Sequence, residues 1–286
     1  MALLPLKRLA PTPGARTIDA WLEQVTHEIE RGDDVDRSVL CRKALCEITY
    51  PAYAANWESA VNDDALPLGT RAALLALDPR NVTLEPEYYA DCDQPKFQRV
   101  KPLLWLWYSF DRTSLGGQNV DVGVRLRRVL AAHIFKRCGE NFKAFQNVEF
   151  SFGYNMEAGD DVVIHRHVLL DDRGGIALGN KVSISDYANI YSHTHSIVDQ
   201  RDVTNAETRI DDGVRITYHA TVLAGVHVGC DAMVGAMAVA TKDVRPHHVN
   251  VGIPAKSVRV KPNAPADHNE CLPTARQRST GGGGRA

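Results

Sequence analysis

The 286-residue chain has almost no net charge and no long apolar run. Its 33 Lys and Arg residues and 35 Asp and Glu residues leave a formal net charge of −2, which gives no reason to expect nucleic acid or an anionic membrane as a partner. The longest apolar run, residues 103–110, falls far short of the ~18 residues that a membrane span needs. Residues 1–6 are apolar but too short for the core of a signal peptide, so we expect a cytoplasmic protein.

Closely paired cysteines are also absent. The six cysteines form no C-x-x-C pair, so their spacing indicates neither a zinc-binding motif nor a disulfide framework. We assign none of them a role.

A six-residue repeat is the strongest feature of the sequence. Between Leu178 and Val244 an aliphatic residue or Ala recurs at every sixth position, and a small or β-branched residue follows it four positions later. The two sets are residues 178, 184, 190, 210, 216, 222, 228, 234 and 240, and residues 182, 188, 194, 214, 220, 226, 232, 238 and 244. Neither an amphipathic helix nor a single strand has this period. A parallel β-helix has it, because each unit is one short strand plus a turn.

The repeat extends back to Phe152 and is interrupted twice. Between Leu170 and Leu178 the step is eight residues, which predicts a two-residue bulge over residues 172–175, where two glycines relieve the backbone. Thirteen units at three per coil predict roughly four coils. The long interruption lies between positions 190 and 210, where residues 195–205 fit no repeat unit. Such an insertion is a loop on a rigid wall, where catalytic residues usually lie.

The first half of the chain has helical rather than six-residue patterning. Helices are predicted over residues 17–31, 36–48, 70–77 and 122–137. We therefore divide the chain into a mainly helical N-terminal region over residues 1–140, a β-helix over 141–261 and a disordered tail over 262–286, which is rich in Pro and Gly. Trp105 and Trp107 share one side if their segment is extended. We favour a packing role for them, capping the first coil, over a sugar-stacking platform.

Residues 150–261 resemble the hexapeptide-repeat O-acyltransferases of the maltose, galactoside and nodulation-factor acetyltransferase branch. The resemblance rests on motifs that follow one another along the repeat. These are residues 153–155 (Gly-Tyr-Asn), 170–171 (Leu-Asp), 190–195 (Ile-Tyr-Ser-His-Thr-His), 224–226 (Ala-Gly-Val), 235–244 and 252–256 (Gly-Ile-Pro-Ala-Lys). The resemblance implies a left-handed parallel β-helix, a homotrimer and active sites in clefts between neighbouring coils. It also implies transfer of an acetyl group from acetyl-CoA to a hydroxyl of a small acceptor, a sugar or related alcohol, without a metal.

The resemblance further implies roles for individual residues. His195 becomes the general base, because imidazole titrates near neutral pH, and the backbone N–H of Tyr218 becomes the oxyanion donor. Acceptor binding falls to Asp171, Arg166 and Tyr154. Coenzyme A binding falls to residues whose alanines permit close passage and whose cations suit phosphates, namely Ala224, Ala236, Thr241, Lys242, Lys256 and Arg259.

The chain departs from the family pattern at two places. Residues 215–217 read Arg-Ile-Thr where the family commonly has Trp-Ile-Gly, so the coenzyme geometry at this turn is expected to differ if the turn needs a positive φ. Arg166 stands where the family has an acceptor-binding Asn. An Arg there is compatible with an anionic or a larger acceptor.

The register of the repeat makes one further prediction. His167, Tyr187 and His219 occupy the same position on successive coils, so their side chains should stack in one outward column. We interpret the column as structural, with an acceptor groove or a metal site as alternatives.

Two other functions share this type of fold. A γ-carbonic-anhydrase-like zinc protein needs three histidine ligands, but its characteristic H-x4-H pair is absent. A non-catalytic β-helix scaffold would need neither a base nor a coenzyme site. We favour the acetyltransferase and expect no metal.

Overall fold

The structure, a computed structural model, describes residues 4–31 and 36–268. The first half is helical, as predicted. The α-helices are α1 (Pro13–Glu30), α2 (Arg37–Thr49), α3 (Trp57–Val61), α4 (Leu68–Leu75), α5 (Tyr88–Asp91), α6 (Gln94–Asp111) and α7 (Val120–Ile134), with 3-10 turns at Pro51–Tyr53 and Pro79–Asn81. Among the described residues, no helix has the length and apolar content of a membrane span.

Helix boundaries follow capping residues more closely than apolar periodicity. Helix α1 begins earlier than predicted because Pro13 suits the first helical position and the Thr12 hydroxyl accepts a hydrogen bond from the Ala15 N–H at 3.2 Å. The Asp36 carboxylate caps α2 in the same way. The predicted helix over 122–137 ends at Ile134 instead, because Arg137 already pairs as a strand with Glu157.

The tryptophan segment is helical, so the premise of an extended segment was wrong. Trp107 lies in α6 and is fully buried. Its ring packs edge-on against Phe150 with the ring centroids 5.3 Å apart, and its indole N–H donates to the carbonyl of Val148 at 3.1 Å. The predicted packing role, as a cap on the first coil, is confirmed for this residue.

The second half is a parallel β-helix with three faces. The strands are β1 (Arg137–Cys138), β2 (Lys143–Ala144), β3 (Glu149–Phe150), β4 (Met156–Ala158), β5 (Val163–Ile164), β6 (Leu169–Asp171), β7 (Ile176–Leu178), β8 (Ser183–Ile184), β9 (Asn189–Tyr191), β10 (His193–His195), β11 (Val203–Asn205), β12 (Thr208–Ile210), β13 (Arg215–Ile216), β14 (Thr221–Val222), β15 (His227–Val228), β16 (Met233–Val234), β17 (Val239–Ala240), β18 (His248–Val251) and β19 (Lys256–Val260). The first sheet contains β1, β4, β7, β12 and β15. The second contains β2, β5, β8, β13, β16 and β18, with β19 antiparallel at the end, and the third contains β3, β6, β9, β14 and β17.

The β-helix has about six turns, more than the four expected, because it begins earlier than the repeat reveals and continues beyond it to residue 251. Phe150, not Phe152, pairs with Leu170 in the third sheet, so the backward register through Phe152 was wrong by two residues. Phe152 is buried for another reason, since its ring packs on Phe97 and Tyr154. The eight-residue step predicted before Leu178 therefore occurs in the first coil as well.

The long interruption is a β-hairpin. Strands β10 and β11 pair antiparallel, with His193 opposite Asn205 and His195 opposite Val203. The chain then returns to the first sheet at β12, so the β-helix continues as if uninterrupted. The predicted excursion from one corner is confirmed, although its hairpin form was not predicted.

The helices and the β-helix share one continuous core. It runs from Leu22 in α1 to Val244 after the last full coil. Side chains of α6 and α7 also take the place that a preceding coil would occupy, because they donate hydrogen bonds to backbone carbonyls along the open edge of the first coil. These pairs are Trp107 with Val148, Tyr108 with Phe150, Arg127 with Ala144 and Arg128 with Phe142. Residues 269–286, most of the predicted tail, lie outside the described residues.

Candidate active site

The corner that joins the third sheet to the first carries the candidate base. We call it the base corner and define it by residues 171–175 and 192–207. His193 and His195 are two residues apart on β10, so their side chains project from the same side of the strand. Their rings meet edge to face with centroids 5.3 Å apart. Both side chains are partly exposed, and the exposed fraction of the His195 side chain is 32%.

Each of these imidazoles is fixed through Nδ1. The Nδ1 of His193 hydrogen-bonds the carboxylate of Asp171, and the Nδ1 of His195 lies 2.8 Å from the carbonyl oxygen of Gln200. A carbonyl oxygen only accepts hydrogen bonds, so Nδ1 of His195 carries a proton and donates it. The lone pair of neutral His195 is therefore on Nε2, the nitrogen that a general base would use.

The helical half of the chain completes the base corner. Arg173 is buried in the corner and donates to the Glu87 carboxylate at 2.5 Å and to Asp91 at the end of α5. This pairing places the Glu87 carboxylate oxygen 3.4 Å from Nε2 of His195. The hydrogen bond from Arg173 lowers the pKa of Glu87, so a negative charge stands beside the candidate base.

Sequence reasoning missed this contact. Glu87 and Arg173 are 86 residues apart along the chain, and neither lies in a motif. The only available signal was the four-residue spacing of Glu87 and Asp91, which places two carboxylates on one side of a helical turn.

Two neighbouring aspartates of the corner behave differently. Asp171 is buried, accepts a hydrogen bond from the Ser151 hydroxyl at 2.6 Å and holds His193. Asp172 is fully buried and accepts backbone N–H bonds from Phe152 at 2.7 Å and Asn155 at 3.1 Å. Burial raises the pKa of Asp172 to about 6, although these hydrogen bonds oppose the rise. Asp172 therefore fixes the backbone of the bulge, while Asp171 faces the site.

The corner that joins the second sheet to the third carries the predicted column of rings. We call it the stack corner and define it by residues 146–147, 166–167, 186–187 and 218–219. His167 stacks on Tyr187 with centroids 4.8 Å apart, and Tyr187 stacks on His219 at 4.9 Å, with planes within 4° of parallel. The predicted stack is confirmed. Because the rings cover each other's faces, Tyr187 presents only its edge and does not form a platform for a sugar.

A groove of about 460 Å³ runs along the stack corner. Arg166 lies in it and approaches Asp186 at 3.7 Å. The structure therefore places Arg166 at a different corner from Asp171, although the resemblance assigned both to the acceptor.

Tyr154 is also placed away from an open cleft. It is buried against Phe152, and its hydroxyl accepts a hydrogen bond from the Asp93 N–H at 2.8 Å. This contact ties the β-helix to the start of α6.

The candidate oxyanion donor lies at the stack corner. Tyr218 follows strand β13 of the second sheet, whereas His195 leaves the third sheet. Within the described part of the chain, the N–H of Tyr218 donates to no other atom. Thr217 stands where the family commonly has Gly. Its hydroxyl donates a hydrogen bond to the Val234 carbonyl at 2.8 Å, and its φ is not positive. The turn therefore accepts Thr without backbone strain.

His195 and Tyr218 lie at different corners, so a single chain does not bring them together.

The residues assigned to coenzyme A lie on the last coils. Ala224, Thr241 and Lys242 follow the third sheet and Ala236 the second, while Lys256 and Arg259 lie on β19. Apart from the half-buried Ala224, all are exposed. The three cations form no ion pair with any residue in the ranges 4–31 and 36–268, so they are free to meet phosphates.

Comparison with known proteins gives relatives of one kind. No family model matches the chain. The galactoside O-acetyltransferase of Escherichia coli K12 is 26% identical over 140 residues, which are 48% of this chain and 69% of that protein. A putative acetyltransferase of Schizosaccharomyces pombe is 31% identical over 114 residues, 38% of this chain and 55% of that protein.

The chain is similar in sequence to known acetyltransferases.

Solved structures of such acetyltransferases share the fold. A maltose O-acetyltransferase from Clostridium difficile 630 superposes with a TM-score of 0.53 at 22% identity, over 60% of this chain and 90% of that one. A hexapeptide-repeat acetyltransferase from Vibrio cholerae in complex with acetyl coenzyme A gives 0.51 at 23% identity, over 58% and 87%. The predicted left-handed β-helix is thereby confirmed, and the enzyme class is acetyltransferase. Neither the scaffold nor the carbonic anhydrase alternative has a counterpart among these four relatives.

Proposed function

We propose that the protein transfers an acetyl group from acetyl-CoA to a hydroxyl group of a small acceptor, a sugar or related alcohol, with His195 as the general base. The observation that carries this proposal is the imidazole of His195. Its Nδ1 is fixed on a backbone carbonyl, its Nε2 lone pair is accessible, and a carboxylate stands 3.4 Å from that nitrogen. Relatives named as O-acetyltransferases and structures that hold coenzyme A support the reaction class.

The proposed reaction has two steps. The Nε2 of His195 takes the acceptor's hydroxyl proton while the oxygen attacks the thioester carbonyl. The resulting imidazolium is stabilised by the carboxylate of Glu87, and the oxyanion accepts a hydrogen bond from the N–H of Tyr218. When the tetrahedral intermediate collapses, the C–S bond breaks, and His195 returns the proton to the coenzyme A sulfur. The acetyl ester and free thiol leave.

We further propose that the site lies between copies of the chain in a homotrimer. His195 and Tyr218 occupy different corners, so a neighbouring copy would supply the stack corner that faces each base corner. The N–H of Tyr218, which has no partner among the residues that the structure describes, supports this assignment. Coenzyme A would then lie between copies, against the exposed surface of Thr241 and the cations Lys242, Lys256 and Arg259 of the last coils.

Arg166 and Asp171 would approach one acceptor in the same way, from adjacent copies. The charge of Arg166, already near Asp186, suits an acceptor with anionic groups.

The base is tested by thiol release from acetyl-CoA with a panel of sugars and other alcohols. We expect turnover in the wild type and a loss of ~10²- to 10⁴-fold in His195→Ala. The matched control is His227→Ala, because His227 is another partly exposed histidine of the β-helix, paired with Asp211. Equal turnover in His195→Ala and wild type would reject the assigned base.

The shared site is tested by complementation. His195→Ala and Tyr218→Pro each remove one half of the site. Tyr218→Pro deletes the backbone donor without removing a hydrogen bond among residues 4–31 and 36–268. In coexpressed random trimers about one quarter of the interfaces combine an intact base with an intact donor. We expect the mixture to regain activity in that proportion, with circular dichroism showing that both variants fold. If both functional groups act within one chain, the mixture stays inactive.

A further inference from the structure

Three side chains of the base corner converge in a way that base catalysis alone does not require. Glu87, His193 and His195 each offer a ligand atom, and these atoms all lie within 4.8 Å of one another. All three side chains reach solvent, with exposed fractions of 44%, 17% and 32%. An ion in solution can therefore reach them.

The two imidazoles are oriented as metal-binding histidines usually are. A histidine ligand typically donates its second ring N–H to a carboxylate or a backbone carbonyl, which fixes the tautomer and the ring. His193 does so with Asp171, and His195 does so with the carbonyl of Gln200. In each ring Nδ1 is already engaged, so Nε2 is the nitrogen left to bind an ion.

The third group is an oxygen ligand held from the helical half. Arg173 fixes Glu87 by a hydrogen bond of 2.5 Å and is itself anchored on Asp91. The donor set is thus two imidazole nitrogens and one carboxylate oxygen. Zinc binds such sets, with a fourth position left for water or substrate, whereas Mg²⁺ prefers oxygen ligands.

We infer that Glu87, His193 and His195 form a binding site for a divalent transition metal of the zinc class, and that the bound metal inhibits acetyl transfer. Binding would place the Nε2 lone pair of His195 in a bond to the metal. His195 would then be unable to take the acceptor's proton. The inhibition rests on the proposed function, but the binding site does not.

The binding site is tested on the untagged full-length protein after treatment with a chelator, by titration with Co²⁺ followed by visible absorption and with Zn²⁺ followed by calorimetry. We expect one equivalent to bind. His193→Ala and Glu87→Gln should each weaken binding by at least about 10-fold, since losing even an outer-shell partner of a metal site costs 10- to 100-fold. His227→Ala should bind as wild type does, and Mg²⁺ should not compete. Unchanged affinity in both His193→Ala and Glu87→Gln would overturn the site.

Inhibition is tested by thiol release with and without Zn²⁺. Loss of turnover on adding one equivalent, together with weaker inhibition in Glu87→Gln, supports the inference. If the metal binds through these residues and turnover is unaffected, the inhibitory role is wrong. If metal-free protein has no transferase activity and Zn²⁺ restores it, the proposed metal-independent mechanism fails while the binding site stands.

Discussion

The base corner and the stack corner are built in opposite ways. At the stack corner one ring position recurs on successive coils, and His167, Tyr187 and His219 adopt the same left-handed backbone with φ between 55° and 61°. At the base corner no position repeats, because the hairpin, the bulge and the helical half each contribute different side chains. A repeated position meets the same neighbour in every coil and so favours stacking. Side chains outside the repeat are free to form a unique site.

The two corners also differ in the kind of group they would offer to the reaction. The base corner offers a side chain, His195, whereas the stack corner offers a backbone N–H at Tyr218. Substitution should therefore affect the two corners very differently.

The largest expected effect separates these two groups. His195→Ala should lower kcat/KM by ~10²- to 10⁴-fold, whereas Tyr218→Ala should change it by less than about threefold, because its backbone donor remains. Steady-state thiol release measures both. Comparable losses in the two variants would mean that the Tyr218 side chain takes part and that the assignment of a backbone donor is wrong.

The next effect concerns the pH dependence of stability at the bulge. Burial raises the pKa of Asp172 to about 6 from its ordinary value of 3.8, so the folded state holds this proton more tightly than the unfolded state does. The resulting stabilisation, about 3 kcal/mol, is fully present below pH ~4 and is lost as the pH rises through about 6. Denaturant titrations of wild type across this range should show the loss. The side chain of Asp172→Asn does not titrate, so the stability of this variant should lack this pH dependence. The same pH dependence in Asp172→Asn and in wild type would refute the assignment.

A smaller effect is expected from the contact between the base corner and the helical half. Arg173→Ala removes the buried guanidinium that holds Glu87, and we expect a loss of about 2 kcal/mol in the free energy of unfolding. Turnover should fall as well, because Glu87 no longer stands beside His195. The control is Arg201→Ala, since Arg201 pairs with Asp199 on the exposed hairpin and such pairs contribute little. If both variants unfold alike, the contact does not stabilise the corner.

The smallest effect is expected at the stack corner. Tyr187→Ala removes the central ring of the column and both of its stacking contacts, which should cost about 1 kcal/mol in the free energy of unfolding. Tyr187→His retains a ring that can stack between its neighbours and should lose less. Equal losses in the two variants would show that ring stacking does not contribute.

The parts of the fold that repeat were predictable, and the parts that interrupt the repeat were not. The six-residue period predicted the β-helix and the stack of His167, Tyr187 and His219. Phe152 misled the register because its apolar side chain predicts burial but not that it packs on Phe97 of a helix rather than inside a coil. The segment around Trp107 is too uniformly apolar for its period to distinguish a strand from a helix.

The candidate site was predictable only in part. The resemblance pointed to His195 and Asp171, and the interrupted repeat placed His195 at a corner. The arrangement of Glu87 on Arg173 depends on packing between distant segments, which no local pattern encodes. The separation of His195 from Tyr218 agrees with the register of the repeat, because Tyr218 precedes His219 of the ring stack, whereas His195 lies at the interruption.

The hydrogen bonds from α6 and α7 to the first coil have a consequence for how the molecule behaves in a crowded solution. An uncovered end of a parallel β-helix exposes a row of unpaired backbone groups that can template the growth of a fibre. The side chains of Trp107 and Arg127 donate hydrogen bonds to backbone carbonyls of that row. The helical half therefore prevents two β-helices from joining end to end at this edge.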